Sequence, residues 1–542
     1  MTPGDNNEME KEVDVIVVGA GFSGMFAIYK LRELGFSVQG FERGSDVGGT
    51  WYWNRYPGAR CDAPSMQYSY QFSDELQQQW HWTEKYAAQP EILRYCQHVA
   101  ERFELRQHIA FNTEVQSIRF DESEQRWHLV TNTGISYSAQ FCIMATGCLS
   151  TTNLPAIPGI DSFKGEHYHT GHWPKEGVDL AGKRVGIIGT GSTGIQVITT
   201  IADSVSELVV FQRTAQYSTP ARNEPTDPTY EAEIKRNYAD FRAENYHRPL
   251  AIDIRLDPKA PKTFEVSDEQ RRAEYEKRWA EGGMSLLLAF RDSTLSKAAN
   301  ETVSDFIKEK IEHIVDDKEV AEQLKPKHIY GCKRPCIDTG YFEVYNRDNV
   351  TLVDASANGI DRITDNGVVV DGQLYPVDCL VFATGFDAMI GTLNRIDIRG
   401  RDEAELKDKW HDGPRNYLGL VSHGFPNMFF VAGPGSPSVL TNMVATSEKQ
   451  VNWIGDCIGH MRSNDIALID ANIDAEQSWL QEVQRAAERT LWSACDNWYY
   501  GANIPGKPRV FMPYVDWPSY MNKVENVIEN NYEGFELSEA QK

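Results

Sequence analysis

Two glycine loops of the form Gly-x-Gly-x-x-Gly constrain the fold of this 542-residue chain more than any other feature. Each follows a short apolar run rich in β-branched residues and precedes a stretch with the apolar spacing of a helix. In that context glycines let backbone N–H groups approach a pyrophosphate, which the helix N-terminus also attracts. The sequence therefore predicts an α/β protein with two Rossmann-like dinucleotide-binding domains. The loops contain Gly19, Gly21 and Gly24, and Gly189, Thr190, Gly191, Ser192 and Gly194.

The residues after the second strand of each dinucleotide-binding domain indicate which cofactor binds there. After the first loop, strand 37–41 ends at Glu42, an acceptor placed for free ribose hydroxyls. After the second, strand 208–211 is followed by Gln212 and then by Arg213 and Thr214. An arginine can pair with a 2′-phosphate that a carboxylate would repel. We therefore expect FAD at the first loop and NADPH at the second, although Arg213 could also be a solvated surface arginine.

Two segments that end in Ala-Thr-Gly, 141–147 and 380–385, predict the crossings between these domains. The stretch from about 221 to 330 is rich in Glu, Lys, Arg and Ala, which favours a helical insertion that helps to cover the active site. The predicted division is an FAD-binding domain at 1–147 and 386–542, an NADPH-binding domain at 148–220 and 333–385, and a helical insertion at 221–332.

Charge and hydropathy exclude several classes of partner. The formal net charge of −24 argues against a nucleic-acid partner, because phosphate binding depends on clustered Lys and Arg. No segment reaches the roughly 18 consecutive apolar residues of a membrane span, and the polar, acidic start does not resemble a signal peptide. These features predict a cytoplasmic protein without a membrane partner. Nothing in the sequence demands an oligomer, so we expect a monomer.

The nine cysteines are scattered and form no Cys-x-x-Cys pair, so neither a zinc ribbon nor a thioredoxin-like site is indicated. Cys332 and Cys336 are close enough in sequence to consider a redox disulfide. Two ordinary thiols are the favoured interpretation in a reducing compartment. Cys61 stands alone in its segment, which argues against a flavin disulfide reductase, because that class needs a cysteine pair beside the flavin.

The segment between the two loops is the most specific part of the sequence. Residues 163–174 fit the pattern F-x-G-x-x-x-H-T-x-x-W-P, and here the chain resembles the type I Baeyer–Villiger monooxygenases, which carry this fingerprint. Related flavin monooxygenases that oxidise nitrogen or sulfur share only the first part of the pattern. The positions that the pattern specifies are Phe163, Gly165, His169, Thr170, Trp173 and Pro174.

Other segments extend the resemblance from about residue 12 to 535, closest to the phenylacetone and cyclohexanone monooxygenase branch. Segment 48–62 is similar to the motif G-G-x-W-x(4)-[FY]-P-G-x(3)-D of that family and contains Thr50, Trp51 and Asp62. Lys333 and Arg334 look like the Lys-Arg pair that follows the helical insertion. The resemblance implies that NADPH reduces FAD, that O₂ forms a C4a-peroxyflavin, and that this species converts a ketone to an ester or lactone.

The resemblance also implies roles for individual residues. Arg334 would be the fixed cation that stabilises developing negative charge, and Asp62 would be its partner. Lys333 would join Arg213 and Thr214 at the 2′-phosphate. The alternatives are that Lys333 and Arg334 form an ordinary surface pair and that Asp62 caps a helix N-terminus.

His169 and Trp498 complete the predicted cofactor site. By family analogy His169 lies near the hinge of the nicotinamide domain. Trp498 either lines the substrate pocket or belongs to the core, and the sequence leaves both open. His167, His169 and His172 suggest a metal site only weakly, because no further ligand motif completes the set. The alternative function is oxygenation of amines or sulfides, and which ketones are accepted is not determined by the sequence.

Overall fold

One mixed sheet and one parallel sheet organise the part of the chain that the computed structural model describes, residues 10–252 and 259–539. Within these residues the strands are β1 (Lys11–Val18), β2 (Val38–Phe41), β3 (Ile109–Ala110), β4 (Val115–Asp121), β5 (Arg126–Thr131), β6 (Ser136–Met144), β7 (Glu166–His169), β8 (Arg184–Ile188), β9 (Glu207–Gln212), β10 (Ser218–Pro220), β11 (Cys336–Asp338), β12 (Val350–Asp354), β13 (Arg362–Thr364), β14 (Gly367–Val370), β15 (Gln373–Pro376), β16 (Cys379–Phe382), β17 (Asp397–Arg399), β18 (Met428–Phe430), β19 (Ile466–Ala471) and β20 (Phe535–Glu539).

The helices of the same described ranges are α1 (Phe22–Glu33), α2 (Thr50–Trp53), α3 (Asp74–Gln79), α4 (Gln89–Arg102), α5 (Ser192–Ile201), α6 (Pro228–Arg236), α7 (Tyr238–Tyr246), α8 (Asp268–Glu281), α9 (Lys297–Ile314), α10 (Lys318–Leu324), α11 (Leu406–Lys409), α12 (Met443–Ser463), α13 (Ile473–Glu488) and α14 (Trp517–Glu529).

The first sheet has the strand order β17-β4-β5-β6-β1-β2-β3, with β18 pairing with the end of β6. Its centre is β1, which runs parallel to β2 and β6 and buries Val15, Ile16 and Val17 completely. Such a continuous β-branched run is typical of a strand covered on both faces. Helices α1 and α12 pack against each other on this sheet. The predicted first strand, glycine loop and helix are therefore confirmed.

The second sheet is entirely parallel in the order β12-β9-β8-β16-β7. Helix α5 connects β8 to β9, as the second glycine loop predicts. Strand β7 is the middle of the fingerprint segment, and it pairs with β16 at the edge of the sheet. The fingerprint therefore lies alongside the strand that leads out of this sheet.

The two Ala-Thr-Gly segments are explained by the way each glycine loop packs. A Cβ atom at Gly19 would lie 2.4 Å from the carbonyl oxygen of Ala145, and one at Gly189 would lie 2.5 Å from that of Ala383. Both glycines also have positive φ, +106° and +110°, a conformation that other residues rarely adopt. The same packing thus occurs once in each sheet.

The two crossing segments also contact each other directly. Thr152 and Phe386 form an antiparallel bridge. Backbone N–H groups of Asn153 and Asp387 donate to Gly385 and Thr151 at 2.9 and 2.8 Å. The two connections between the sheets therefore run side by side as a short ribbon.

Helices α6 to α10 fall within the predicted insertion and confirm its helical character. Helix α8 begins with a capping box in which Ser267 and Gln270 satisfy each other's backbone N–H groups. Tyr238, in α7, packs with the core of the first sheet, whereas Tyr275 and Phe306 pack with the core of the second. The insertion therefore touches both cores.

The prediction of two ordinary thiols at Cys332 and Cys336 is wrong for Cys332. Cys332 forms a disulfide with Cys495, with their Cα atoms 6.1 Å apart. Cys336 is a free cysteine at the start of β11, and its Sγ lies 3.3 Å from the hydroxyl of Ser192. The partner of Cys332 is 163 residues away, so local spacing carries no signal for it. In the described residues no helix is long and apolar enough to cross a membrane.

Candidate active site

The side chain of Glu42 is hydrogen-bonded to the backbone of the first glycine loop. Its two carboxylate oxygens accept hydrogen bonds from the backbone N–H groups of Ala20 (2.9 Å) and Gly44 (2.7 Å). The side chain is 6% exposed. These contacts fix the carboxylate at the end of β2, where the ribose of a dinucleotide is held in this fold.

The starts of α1 and α5 have the features of dinucleotide sites. Each helix begins after a glycine, Gly21 or Gly191, and no side chain of the described residues caps it. Helices α2, α4, α7, α11 and α14 also start without a side-chain cap, but only α1 and α5 of the described helices follow a Gly-x-Gly-x-x-Gly loop. In that context the free N–H groups and the helix dipole favour an anionic group. These residues therefore fit a pyrophosphate at each loop.

Thr50 and Trp51 lie next to the first loop, as the sequence predicts. They begin α2, and the preceding residue, Gly49, packs on Gly21, where an added Cβ would meet the Cα of Gly49 at 3.4 Å. The indole N–H of Trp51 donates to the Tyr68 hydroxyl at 3.2 Å. Trp51 is buried and Thr50 is exposed.

The second loop, Arg213 and Lys333 are brought together. The Thr190 hydroxyl donates to the carbonyl of Thr214 at 2.9 Å, which places Thr214 against the loop. Arg213 is exposed and Lys333 is half-buried. Burial and the nearby Arg213 guanidinium lower the pKa of Lys333, and Asp496 acts in the opposite direction. Two neighbouring cations favour the binding of a doubly charged anion.

Asp62 and Arg334 form a bidentate ion pair, although they are 272 positions apart. The guanidinium Nε donates to Oδ2 at 2.7 Å and Nη2 donates to Oδ1 at 2.8 Å. The third donor, Nη1, reaches the carbonyl oxygen of Val439 at 2.9 Å. Burial opposes the charge on Arg334, but Asp62 outweighs this effect and raises the pKa of Arg334. The guanidinium is therefore charged at any working pH and held from two sides.

The positions of Arg334 and Asp62 exclude the surface-pair and helix-cap interpretations. An exposed surface pair at Lys333 and Arg334 is ruled out, since both side chains are partly enclosed. Asp62 caps no helix, because the residues that follow it form turns. Its carboxylate is instead committed to Arg334.

His169 lies at the crossing between the two sheets. Its Nδ1 accepts a hydrogen bond from the backbone N–H of Gly171 at 3.0 Å. Its Nε2 is therefore the protonated nitrogen and faces the Thr384 hydroxyl at 3.3 Å, which in turn donates to the carbonyl of Asn153 at 2.5 Å. Burial lowers the pKa of His169 to about 4. Through these hydrogen bonds the neutral His169 connects the fingerprint segment to both crossing segments.

The three histidines of the fingerprint do not converge. His167 and His172 are exposed, and His172 packs edge-on against Trp53. In the described ranges, the one group of three residues with ligand atoms close enough for a metal is Asp121, Glu124 and His128 on a hairpin. That group lies outside the predicted site.

Trp498 is half-buried and packs against the first core, with its ring 4.3 Å from that of Tyr499. Tyr499, to which the sequence analysis assigns no role, is buried and lies near enough to Arg334 to influence its charge. Burial raises the pKa of Tyr499 to about 12, against the effect of the neighbouring guanidinium. The carbonyl of Val439 was also missed, because a backbone acceptor leaves no trace in the sequence.

Known proteins resemble this chain over nearly its whole length. The profile of the flavin-binding monooxygenase-like family matches residues 11–230. A Baeyer–Villiger monooxygenase of Pseudooceanicola batsensis is 42% identical over 96% of this chain and 95% of its own length. The structure of an oxidised steroid monooxygenase bound to NADP is 48% identical, with a TM-score of 0.93 over 98% of this chain and all of that chain. OTEMO in complex with FAD and NADP is 39% identical, with a TM-score of 0.93 over the same shares.

Proposed function

The chain belongs to the type I Baeyer–Villiger monooxygenases, and from this premise we propose how its residues support the reaction of that family. It converts a ketone to an ester or lactone with NADPH and O₂, so that one oxygen atom enters a C–C bond beside the carbonyl and the other leaves as water. Bound FAD supplies the activated oxygen, and NADPH supplies the two electrons.

The ion pair of Asp62 and Arg334 carries the catalytic part of the proposal. Oxygen insertion builds negative charge on the ketone oxygen, and a fixed cation in a partly enclosed site stabilises that charge. Arg334 has the required charge at every pH, and its bonds to Asp62 and Val439 fix its direction. Arg334 is therefore the catalytic cation and Asp62 its positioning partner.

The remaining predicted residues bind the two cofactors. Gly19, Gly21, Gly24 and Glu42 hold FAD with Thr50, Trp51 and Asp62, and the second loop holds NADPH with Arg213, Thr214, Lys333 and Arg334. His169 links the crossing segments, and Trp498 borders the cofactor site. The domain limits at 147, 220, 332 and 385 are part of the same proposal.

The decisive experiment incubates the protein with NADPH, isotopically labelled O₂ and a panel of cyclic, aryl, linear and steroidal ketones plus one thioether, with products identified by mass. We expect an ester or lactone that carries the label between the carbonyl carbon and the migrated carbon. A reaction without NADPH is the control. Oxygenation of the thioether together with no ester from any ketone would contradict the proposal and favour the amine and sulfide class.

The monomeric state, the absence of a membrane partner and the cytoplasmic location stay predictions from the sequence. The substrate is a small-molecule ketone, and the panel measures which sizes and shapes of ketone are accepted.

A further inference from the structure

The segment between α13 and α14, residues 489–516, has little regular structure to hold it in place. It contains only two short 3₁₀ turns, Leu491–Ala494 and Trp498–Tyr500. Near its start the backbone N–H of Leu491 donates to the carbonyl of Thr294 in the insertion at 2.9 Å. Cys495 lies between the two turns and forms the disulfide with Cys332.

Residues 495–499 of this segment lie next to residues 332–334, the last of which is the catalytic cation Arg334. Asn497 is buried, and its side-chain N–H group donates to the carbonyls of Cys332 (2.9 Å), Trp492 (2.9 Å) and Cys495 (3.2 Å). The two residues that follow Cys332 also have neighbours in this segment, since Asp496 influences the charge of Lys333 and Tyr499 that of Arg334.

Arg334 is therefore enclosed from a third direction. Asp62 and Val439 accept hydrogen bonds from its three donor nitrogens. Tyr499, which belongs to the crosslinked segment, is 2% exposed. The backbone of Tyr499 is itself fixed, since its carbonyl accepts from the N–H of Met512 at 3.0 Å.

We propose that the Cys332–Cys495 disulfide is a positioning crosslink for Arg334, which holds segment 495–499 against residues 332–334 so that the guanidinium keeps the direction that ester formation needs. This inference rests on the proposed function of Arg334. A displacement of about 1 Å at a catalytic group can cost a hundredfold in rate. Since Asn497 still bridges the two segments after reduction, we expect a loss of about tenfold in ester formation.

The crosslink can open by ordinary thiol–disulfide exchange. Cys332 is completely buried, whereas Cys495 is partly exposed, so a dithiol reductant reaches the Sγ of Cys495 first. The incoming thiolate bonds to that sulfur, the S–S bond breaks, and Cys332 leaves as a thiolate that takes up a proton. The second thiol of the reductant then displaces Cys495 as a thiol. The reductant becomes a disulfide and two electrons reach the protein.

The test compares the oxidised holoenzyme with the same protein reduced by dithiothreitol and freed from the reagent, with thiols counted by alkylation and mass. We expect reduction to lower ester formed per NADPH consumed about tenfold, while NADPH consumption itself changes less than twofold, and re-oxidation to restore the ratio. The double variant Cys332→Ser, Cys495→Ser should match the reduced protein and ignore dithiothreitol. The Cys457→Ala variant, which removes a buried free cysteine in α12, should behave as the wild type.

Hydrogen exchange gives a readout that does not depend on turnover. Amides of 332–336 and of 495–500 should both exchange faster in the reduced protein and in the double variant. Unchanged exchange in these two segments, or free Cys332 and Cys495 thiols in the oxidised protein, would overturn the inference. If the oxidised wild type made no ester from any ketone, the proposed function would fail. The effect of the disulfide on the two segments would then be tested by hydrogen exchange alone.

Discussion

Replacing Asp62 with alanine tests the catalytic cation without removing its charge. The variant loses the two hydrogen bonds of 2.7 and 2.8 Å that fix the guanidinium of Arg334, whereas the bond to the carbonyl of Val439 remains. Arg334 therefore stays charged and near its place, beside Val439 and Tyr499, but no carboxylate fixes the direction of its guanidinium.

The size of the effect follows from the environment of the pair. A hydrogen bond between charged groups contributes about 1.5–3 kcal/mol. The Arg334 and Asp62 side chains are 28% and 26% exposed, so water recovers part of the loss. A net cost of about 3 kcal/mol then converts, at about 1.4 kcal/mol per factor of ten, to a roughly hundredfold lower rate of ester formation.

The assay separates the two halves of the reaction. Rapid mixing with NADPH measures flavin reduction, and product mass measures ester formation. Asp62→Asn keeps one acceptor oxygen, so its loss should be smaller, about tenfold. Asp378→Asn is the matched control, because Asp378 makes a similar bidentate pair with Arg184 on the surface. This control should leave both rates unchanged.

The reasoning would be refuted by an Asp62→Ala variant that forms ester within twofold of the wild-type rate. It would also be refuted by an equal loss in flavin reduction and in ester formation, since that result would assign Asp62 to cofactor binding alone.

Other substitutions address the remaining parts of the site. Arg334→Ala should abolish ester formation and leave flavin reduction by NADPH intact in rapid-mixing experiments. Arg213→Ala should raise the KM for NADPH about tenfold or more and that for NADH little, because only NADPH carries the 2′-phosphate. Glu42→Ala should weaken FAD retention, measured as the flavin absorbance left after gel filtration. His169 is neutral in the fold, and its pKa drops from 6.5 to about 4, so the unfolded chain binds the additional proton between these values. Wild-type stability should therefore fall as pH drops through this window, and His169→Asn should reduce that fall in thermal melts.

Three outcomes would count against these expectations. Normal ester yield from Arg334→Ala would remove the cation from the mechanism. Equal changes in KM for NADPH and NADH in Arg213→Ala would mean that the 2′-phosphate is recognised elsewhere. An acid-side loss of stability that is the same with Asn at position 169 would assign that loss to other groups.

The sequence predicts the parts of the site that are built from local patterns. A glycine loop, the strand before it and the helix after it are contiguous, so Gly19 and Gly189 and the ends of β2 and β9 follow from spacing alone. Asp62 and Arg334 are predicted only through the family resemblance. They are 272 positions apart, and no local pattern predicts that they form a pair.

The features that escaped prediction are contacts between distant segments. The pairing of Cys332 with Cys495, the approach of Tyr499 to Arg334 and the carbonyl of Val439 all depend on how the segment after α13 returns to the site. An irregular segment has no periodicity, so its path is set by tertiary packing and not by local preference. Trp498 is a candidate because it is aromatic, whereas its neighbour Tyr499 is the residue that influences the charge of Arg334.

The paired crossing segments have a mechanical consequence for the whole molecule. Two separate linkers would let the sheets slide and twist independently, but the bridge between Thr152 and Phe386 makes the connections one ribbon. A two-stranded ribbon bends across its face more easily than it shears within its plane. We therefore expect relative motion of the two sheets to be mainly opening and closing, with this ribbon as the axis. His169, through Thr384 and Asn153, sits at that axis and connects it to the fingerprint strand.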